Sequence, residues 1–373
     1  MAIITTEWRG TEYFPLTDIA YVEFLVGNAK QAAYFYRSAF GFHPVAYSGP
    51  ETGSTDSVSY VMKQNNIVFI VTTPLKPTLP ATNWLKKHGD GVYDIALQSE
   101  NAMAAFLSCL NRGAVSAAPR IDYTGKDGQY IRYSIKTYGD TIHSFVQNKD
   151  YQGIWAPGFE SIDIPPVSSE DLHLITIDHI VGNVEENRMN QWEKYYERVF
   201  GFTTFVVFNE NDISTQYSAL KSRVVRSKNW KIKFPINEPA KGLKKSQIQE
   251  YLDFNHGAGV QHIALLTDDI VMTVKALRKN GVEFLHVPDA YYDELPARVG
   301  EISEILDELK PLKILVDRDE EGYLLQLFTK PIQDRPTLFF EIIQRKGARG
   351  FGQGNFQALF ESIELEQAKR GNL

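Results

Sequence analysis

The sequence predicts an α+β protein of two tandem halves, each built from two βαβββ modules, with a helix closing the chain. Three observations predict it. The strand pattern Gly91-Val92-Tyr93-Asp94-Ile95-Ala96-Leu97 returns as Gly259-Val260-Gln261-His262-Ile263-Ala264-Leu265, with the same frame of small and apolar residues. A second pair, Glu23-Phe24-Leu25-Val26-Gly27-Asn28-Ala29 and Asp178-His179-Ile180-Val181-Gly182-Asn183-Val184, lines up in the same way. The next helix is repeated as well, since Tyr195 to Phe202 mirrors Phe35 to Phe42. Repetition on this scale is the mark of one supersecondary unit used several times.

In order along the chain, Ala20 to Val26 reads as a strand and leads into an amphipathic helix carrying Ala32, Phe35, Tyr36 and Ala39, stopped by Gly41. Strands are expected at Ser57 to Met62 and Ile67 to Thr72. The pattern restarts with the strand Val92 to Leu97 and the helix Asn101 to Arg112, and then strands at Tyr130 to Thr137 and Thr141 to Gln147. Prolines 157, 165 and 166 mark a linker over 156–170. In the second half, Gln216 to Val225 is a strand, whereas Phe234 to Pro239 and Lys244 to Tyr251 read as extra loop material absent from the first half. The fourth module starts at Val260, runs through a helix from Ile270 to Asn280 and a polar insertion from Tyr291 to Glu308, and closes with strands at Lys313 to Asp317, Leu324 to Thr329 and Leu338 to Gln344. Glycines 347, 350, 352 and 354 precede an amphipathic helix over 355–370, which reads as a lid.

Composition narrows the function. The 373 residues suffice for two domains, and an apolar share of 43% builds ordinary cores. A net charge of −7 argues against a nucleic-acid partner. Met1-Ala2-Ile3-Ile4 lacks a basic leader, and no apolar run approaches the ~18 residues of a spanning helix. The single cysteine, Cys109, cannot form an internal disulfide and reads as a small buried hydrophobe in a reducing compartment. The expectation is a cytoplasmic protein with no membrane partner.

The chemistry shows where the copies differ. Aligned by sequence, His179 faces Phe24, His262 faces Asp94 and Glu341 faces Ser144. Two imidazoles and a carboxylate form the facial triad that suits non-haem Fe(II) with open positions. Glu341 sits between Leu338-Phe339-Phe340 and Ile342-Ile343, where a carboxylate is costly unless paired, protonated or bound to metal; Arg345 or Arg349 is the alternative partner. His43, His88, His143, His173, His256 and His286 lie outside the matched frames and are read as non-ligands.

These residues, with Pro235-Ile236-Asn237-Glu238-Pro239, Ser246-Gln247-Ile248-Gln249-Glu250-Tyr251 and Gly350-Phe351-Gly352-Gln353-Gly354-Asn355-Phe356, resemble the 4-hydroxyphenylpyruvate dioxygenase family over nearly the whole chain, more densely in the second half. The resemblance implies vicinal-oxygen-chelate (glyoxalase-like) modules with an open barrel in each half. It implies a non-catalytic first half (1–155) and a catalytic second half (171–373). It further implies one Fe(II) per chain on His179, His262 and Glu341, with 4-hydroxyphenylpyruvate and O2 as substrates and no 2-oxoglutarate. Substrate contacts would come from Ser222, Asn237, Gln247, Gln261 and Gln326, with Phe328, Phe339, Phe351 and Phe356 as aromatic wall and Asn355 and Leu359 at the mouth. A homodimer or homotetramer is implied by the same likeness. Arg226 departs from the pattern, where a smaller residue is expected, and an outward side chain would leave the pocket unaltered. The rival readings are a 4-hydroxymandelate synthase and, from another class, a metal-free small-molecule binding protein.

Overall fold

The computed structural model describes residues 14–165, 167, 171–209, 215, 217–304 and 306–372, so Met1 to Ile4 and part of the expected linker lie outside the described residues. The first half runs β1 (Leu16–Leu25), α1 (Ala29–Phe40), β2 (His43–Ser48), β3 (Ser57–Gln64), β4 (Ile67–Pro74), α2 (Pro80–His88), β5 (Gly91–Ser99), α3 (Ala102–Asn111), β6 (Ser116–Gly125), β7 (Gly128–Lys136), β8 (Ile142–Gln147) and β9 (Glu160–Ser161). The second runs β10 (Leu174–Asn183), α4 (Met189–Phe200), β11 (Thr203–Phe208), β12 (Ala219–Arg226), β13 (Lys233–Ala240), α5 (Gln247–Asn255), β14 (Gly259–Thr267) and α6 (Ile270–Lys279). It continues with α7 (Ala290–Asp293), α8 (Leu295–Val299), α9 (Leu306–Leu312), β15 (Leu315–Arg318), β16 (Tyr323–Phe328), β17 (Phe339–Lys346) and α10 (Phe356–Lys369).

Each half is one mixed sheet. The order β6-β7-β8-β5-β1-β4-β3-β2 in the first matches β15-β16-β17-β14-β10-β13-β12-β11 in the second, and β9 extends the first sheet at β2. The two modules of a half meet through their opening strands, β1 against β5 and β10 against β14, both antiparallel. This is the duplicated plan the sequence predicts, with a C-terminal helix added.

Two expectations are corrected. Phe234 to Pro239 is the core of β13, and Lys244 to Tyr251 runs into α5; neither is an insertion. β13 pairs parallel with β10 as β4 pairs with β1, and α5 fills the place of α2. Pro235 and Pro239 hid the strand, because proline cannot donate to a ladder. They are tolerated since β13 meets β10 only at Gly182↔Ile236 and Asn183↔Asn237. The counterpart of His179 also shifts. His179 lies opposite Ala264 as Tyr21 lies opposite Ala96, so Tyr21, not Phe24, holds the equivalent place. Matching the Gly-Asn pairs misled the alignment: Asn28 caps α1 through the Gln31 amide, whereas Asn183 ends a strand.

The halves join through aromatic cores that repeat. Tyr36, Phe40 and Phe69 of the first half gather round Phe340, with Phe40 at 5.0 Å and Phe69 stacked at 5.8 Å. In the mirrored arrangement Tyr196, Phe200 and Phe234 surround His143 at 5.4 to 5.7 Å. His143 Nδ1 lies 3.0 Å from the Ile95 carbonyl, so it carries the proton, and Nε2 accepts from the Tyr196 hydroxyl at 2.7 Å. Among the described residues no helix is long and apolar enough to cross a membrane.

Candidate metal centre

The three candidate ligands come from adjacent strands. β10, β14 and β17 are neighbours in the second sheet, with His179 and Glu341 both paired to Ala264 from opposite sides and His262 two residues before it. Period-two alternation turns all three side chains to one face. One ligand atom from each lies within 4.8 Å of the others, and all three residues are buried. His179 Nε2 is 3.2 Å and His262 Nε2 3.5 Å from Glu341 Oε2.

The outer ring nitrogens are already engaged. His179 Nδ1 lies 2.7 Å from Asp178 Oδ2, and His262 Nδ1 lies 3.0 Å from Gln261 Oε1. Both partners accept, so both Nδ1 atoms donate and both Nε2 lone pairs face Glu341. This is the tautomer a metal-ligating imidazole needs. Burial opposes ionisation of Asp178, but Arg345 at 2.8 Å, His179 and Lys233 at 3.1 Å outweigh it and hold its carboxyl well below the usual range. Arg345 is therefore committed to Asp178. That disposes of one bland partner for Glu341.

Burial also works against the charged form of Glu341, yet His179 and His262 hold it down at about 2. For His179, burial lowers proton affinity while Glu341 and Asp178 raise it above its ordinary value; for His262, burial prevails and lowers it. A buried carboxylate facing two imidazole lone pairs is a donor set that a divalent cation completes. The residues present fit such an ion.

A cavity of about 590 Å³, open to solvent, lies over this cluster. Of the residues expected to contact substrate, Ser222, Asn237, Gln247, Gln261, Gln326, Phe328, Phe339, Phe351, Phe356 and Leu359 all line it. Asn355 does not. It is wholly buried behind the wall, its Oδ1 2.6 Å from the Tyr291 hydroxyl and 3.1 Å from the Arg298 guanidinium. Gln326 Oε1 is buried with no protein partner. Phe339 stacks on His262 at 4.7 Å, and Phe351 meets His179 edge-on at 4.9 Å. Arg226 is outside the lining, its guanidinium 3.7 Å from the Trp230 ring centroid.

Sequence reasoning missed Val181, Phe208, Leu220, Val224, Pro235, Phe360 and Ile363, which also line the cavity. The signal for most was available. Leu220 and Val224 flank Ser222 at period two, as Pro235 precedes Asn237 and Val181 follows His179. Phe360 and Ile363 share a helix face with Phe356 and Leu359.

The equivalent place in the first half is closed by its own side chains. Asp94 accepts from the Ser144 amide at 3.0 Å and from its hydroxyl, and Arg132 donates to the Tyr21 hydroxyl at 3.0 Å. None of these is an imidazole. Trp155 packs against Tyr21 at 5.9 Å, and Ala156 is buried in the same apolar cluster.

Paired βαβββ modules around a His-His-Glu cluster define a glyoxalase-like protein with a candidate metal centre. Residues 176–327 accordingly match the Glyoxalase/Bleomycin resistance protein/Dioxygenase superfamily. Curated 4-hydroxyphenylpyruvate dioxygenases from Yarrowia lipolytica and Caenorhabditis elegans are 46% and 47% identical to the chain, covering 95% of it and 93% and 92% of their own lengths. A solved mutant of 4-hydroxymandelate synthase from Streptomyces coelicolor superposes with a TM-score of 0.84 at 32% identity, over 95% of this chain and 100% of that one. The chain belongs to the 4-hydroxyphenylpyruvate dioxygenase family.

Proposed function

We propose that this protein is an Fe(II)-dependent dioxygenase that converts 4-hydroxyphenylpyruvate and O2 to homogentisate and CO2, a step of tyrosine catabolism. The observation that carries the reading is the His179-His262-Glu341 cluster beneath an aromatic cavity, in a chain whose relatives of that name cover 95% of it. His179, His262 and Glu341 would hold one iron per chain. Iron supplies the activation of O2 that couples loss of CO2 to ring hydroxylation and side-chain migration.

The protein's own part is binding and orientation. Ser222, Asn237, Gln247, Gln261 and Gln326 offer polar partners for the phenol and the keto acid. Phe328, Phe339, Phe351 and Phe356, with Leu359, hold the ring and exclude water from it. Asp178 and Gln261 fix the two imidazoles with their Nε2 atoms inward. The substrate carries its own 2-oxo acid, so 2-oxoglutarate has no place in the reaction. Residues 171–373 form the catalytic half, 156–170 the linker and 1–155 a scaffold half. The assembly is a homodimer or homotetramer, located in the cytoplasm.

The 4-hydroxymandelate synthase reading draws on the structural likeness, but the dioxygenase relatives are more similar at 46% and 47% identity against 32%. A metal-free binding protein would have no use for three buried donors aimed at one point. The test is chromatography of products after incubation with Fe(II), O2 and 4-hydroxyphenylpyruvate. Homogentisate is expected; hydroxymandelate, or no O2 uptake by iron-loaded protein, overturns the proposal.

A further inference from the structure

The segment between α6 and β15 has no counterpart in the first half, where α3 reaches β6 through residues 112–115 alone. Two of its three short helices, α7 and α8, reach the stretch that enters α10. Arg298 donates to the Gly354 carbonyl at 2.7 Å, to the Val316 carbonyl at 2.8 Å and to Asn355 Oδ1 at 3.1 Å. Its guanidinium lies 4.7 Å over the Tyr291 ring. The Tyr291 hydroxyl sits 2.6 Å from Asn355 Oδ1 and 2.8 Å from the Val316 carbonyl, and accepts from the Val316 amide at 2.8 Å. Asp317 Oδ2 accepts from the Gly354 amide at 3.0 Å. Gly354 and Asn355 are thus bound to β15 through side chains of the insertion as well as through the strand itself.

What this tie holds is the mouth of the cavity. Phe356 follows Asn355 directly and packs edge-on against Phe208 at 5.0 Å, while Phe351 lies five residues before Phe356 against His179. Between them stand Gly352, at φ +75°, and Gly354, so the segment has little stiffness of its own.

We propose that Tyr291 and Arg298 are positioning residues for the reaction: they fix where α10 begins and so hold Phe351 and Phe356 over the bound substrate. The inference rests on the proposed function for its catalytic consequence, though its structural consequence stands without it. Hydrogen exchange of full-length metal-free protein tests the second. In Arg298→Met the amides of 350–356 should exchange at least about tenfold faster while those of β14 keep their rates, and Arg298→Lys should recover part of the protection. Steady-state assays of the iron-loaded protein test the first. Arg298→Met and Tyr291→Phe should raise KM for the keto acid several-fold more than they lower kcat, and lower the homogentisate formed per O2 consumed. Unchanged exchange at 350–356, equal loosening of every strand, or a fall in kcat with KM and coupling intact would overturn the proposal. If the wild type forms no homogentisate, the functional reading fails, and the exchange result still decides whether the clamp exists.

Discussion

Lowering the pH should loosen the junction between the halves at one identifiable group, His143. Its Nε2 accepts from Tyr196 and its Nδ1 donates to Ile95, so the site is built for the neutral ring. Burial lowers its proton affinity from the ordinary 6.5 to about 4. The unfolded chain therefore takes up the proton first as pH falls. Stability is whole above ~6.5, declines between there and ~4, and falls no further below it. The loss from this group comes to about 2 kcal/mol by about pH 5 and about 3 kcal/mol by about pH 4. The assay is the urea midpoint of metal-free protein from about pH 8 downward, for wild type and His143→Gln. The amide keeps both hydrogen-bond roles but cannot titrate, so the variant should be offset by a constant at high pH and the curves should converge in acid. Parallel curves would refute the reasoning.

Other expectations follow from single contacts. A Cβ at Gly352 would collide with Gln326 Oε1, on a backbone at φ +75°, so Gly352→Ala should cut kcat/KM by at least about tenfold with iron content intact. His179→Ala should lose iron and turnover but keep a wild-type circular dichroism spectrum; full iron retention would remove it from the ligand set. Asp178→Asn should weaken iron binding by about 10–100-fold through loss of the imidazole's orientation, and should also destabilise the fold because Arg345 and Lys233 lose their shared carboxylate. Burial lifts the Cys109 thiol up to about 12, so a thiol reagent at neutral pH should label it only after unfolding.

How far the site was legible follows from how each residue announces itself. Glu341 stood out because a carboxylate in an apolar strand needs a reason. His262 stood out because its frame recurs with Asp94. The wall of Leu220, Val224, Phe360 and Ile363 stayed hidden, since apolar residues at period two or on a helix face look the same whether they meet a core or a ligand. β13 was disguised by its prolines. α5 carried a readable start, Ser246 capping the Gln249 amide, which the loop reading passed over. The true partner of His179 needed the ladder, because two Gly-Asn pairs with different jobs coincide in sequence. Asn355 was placed at the mouth by the family resemblance, and only the side chains of a distant insertion, Tyr291 and Arg298, show that it is held from behind.

The placement of the three donors on β10, β14 and β17 also orders events during synthesis. The strands are neighbours in the sheet, yet the last of them leaves the ribosome long after the first. A nascent chain that has made His179 and His262 has two imidazoles and no carboxylate between them. Glu341 arrives only with the strand that pairs beside Ala264 and completes the sheet's centre. The donor set is therefore assembled only in a chain whose second sheet is already joined. A redox-active ion would find its full coordination only once β17 lies beside β14, with Phe328 and Phe339 already at hand to shield it from water.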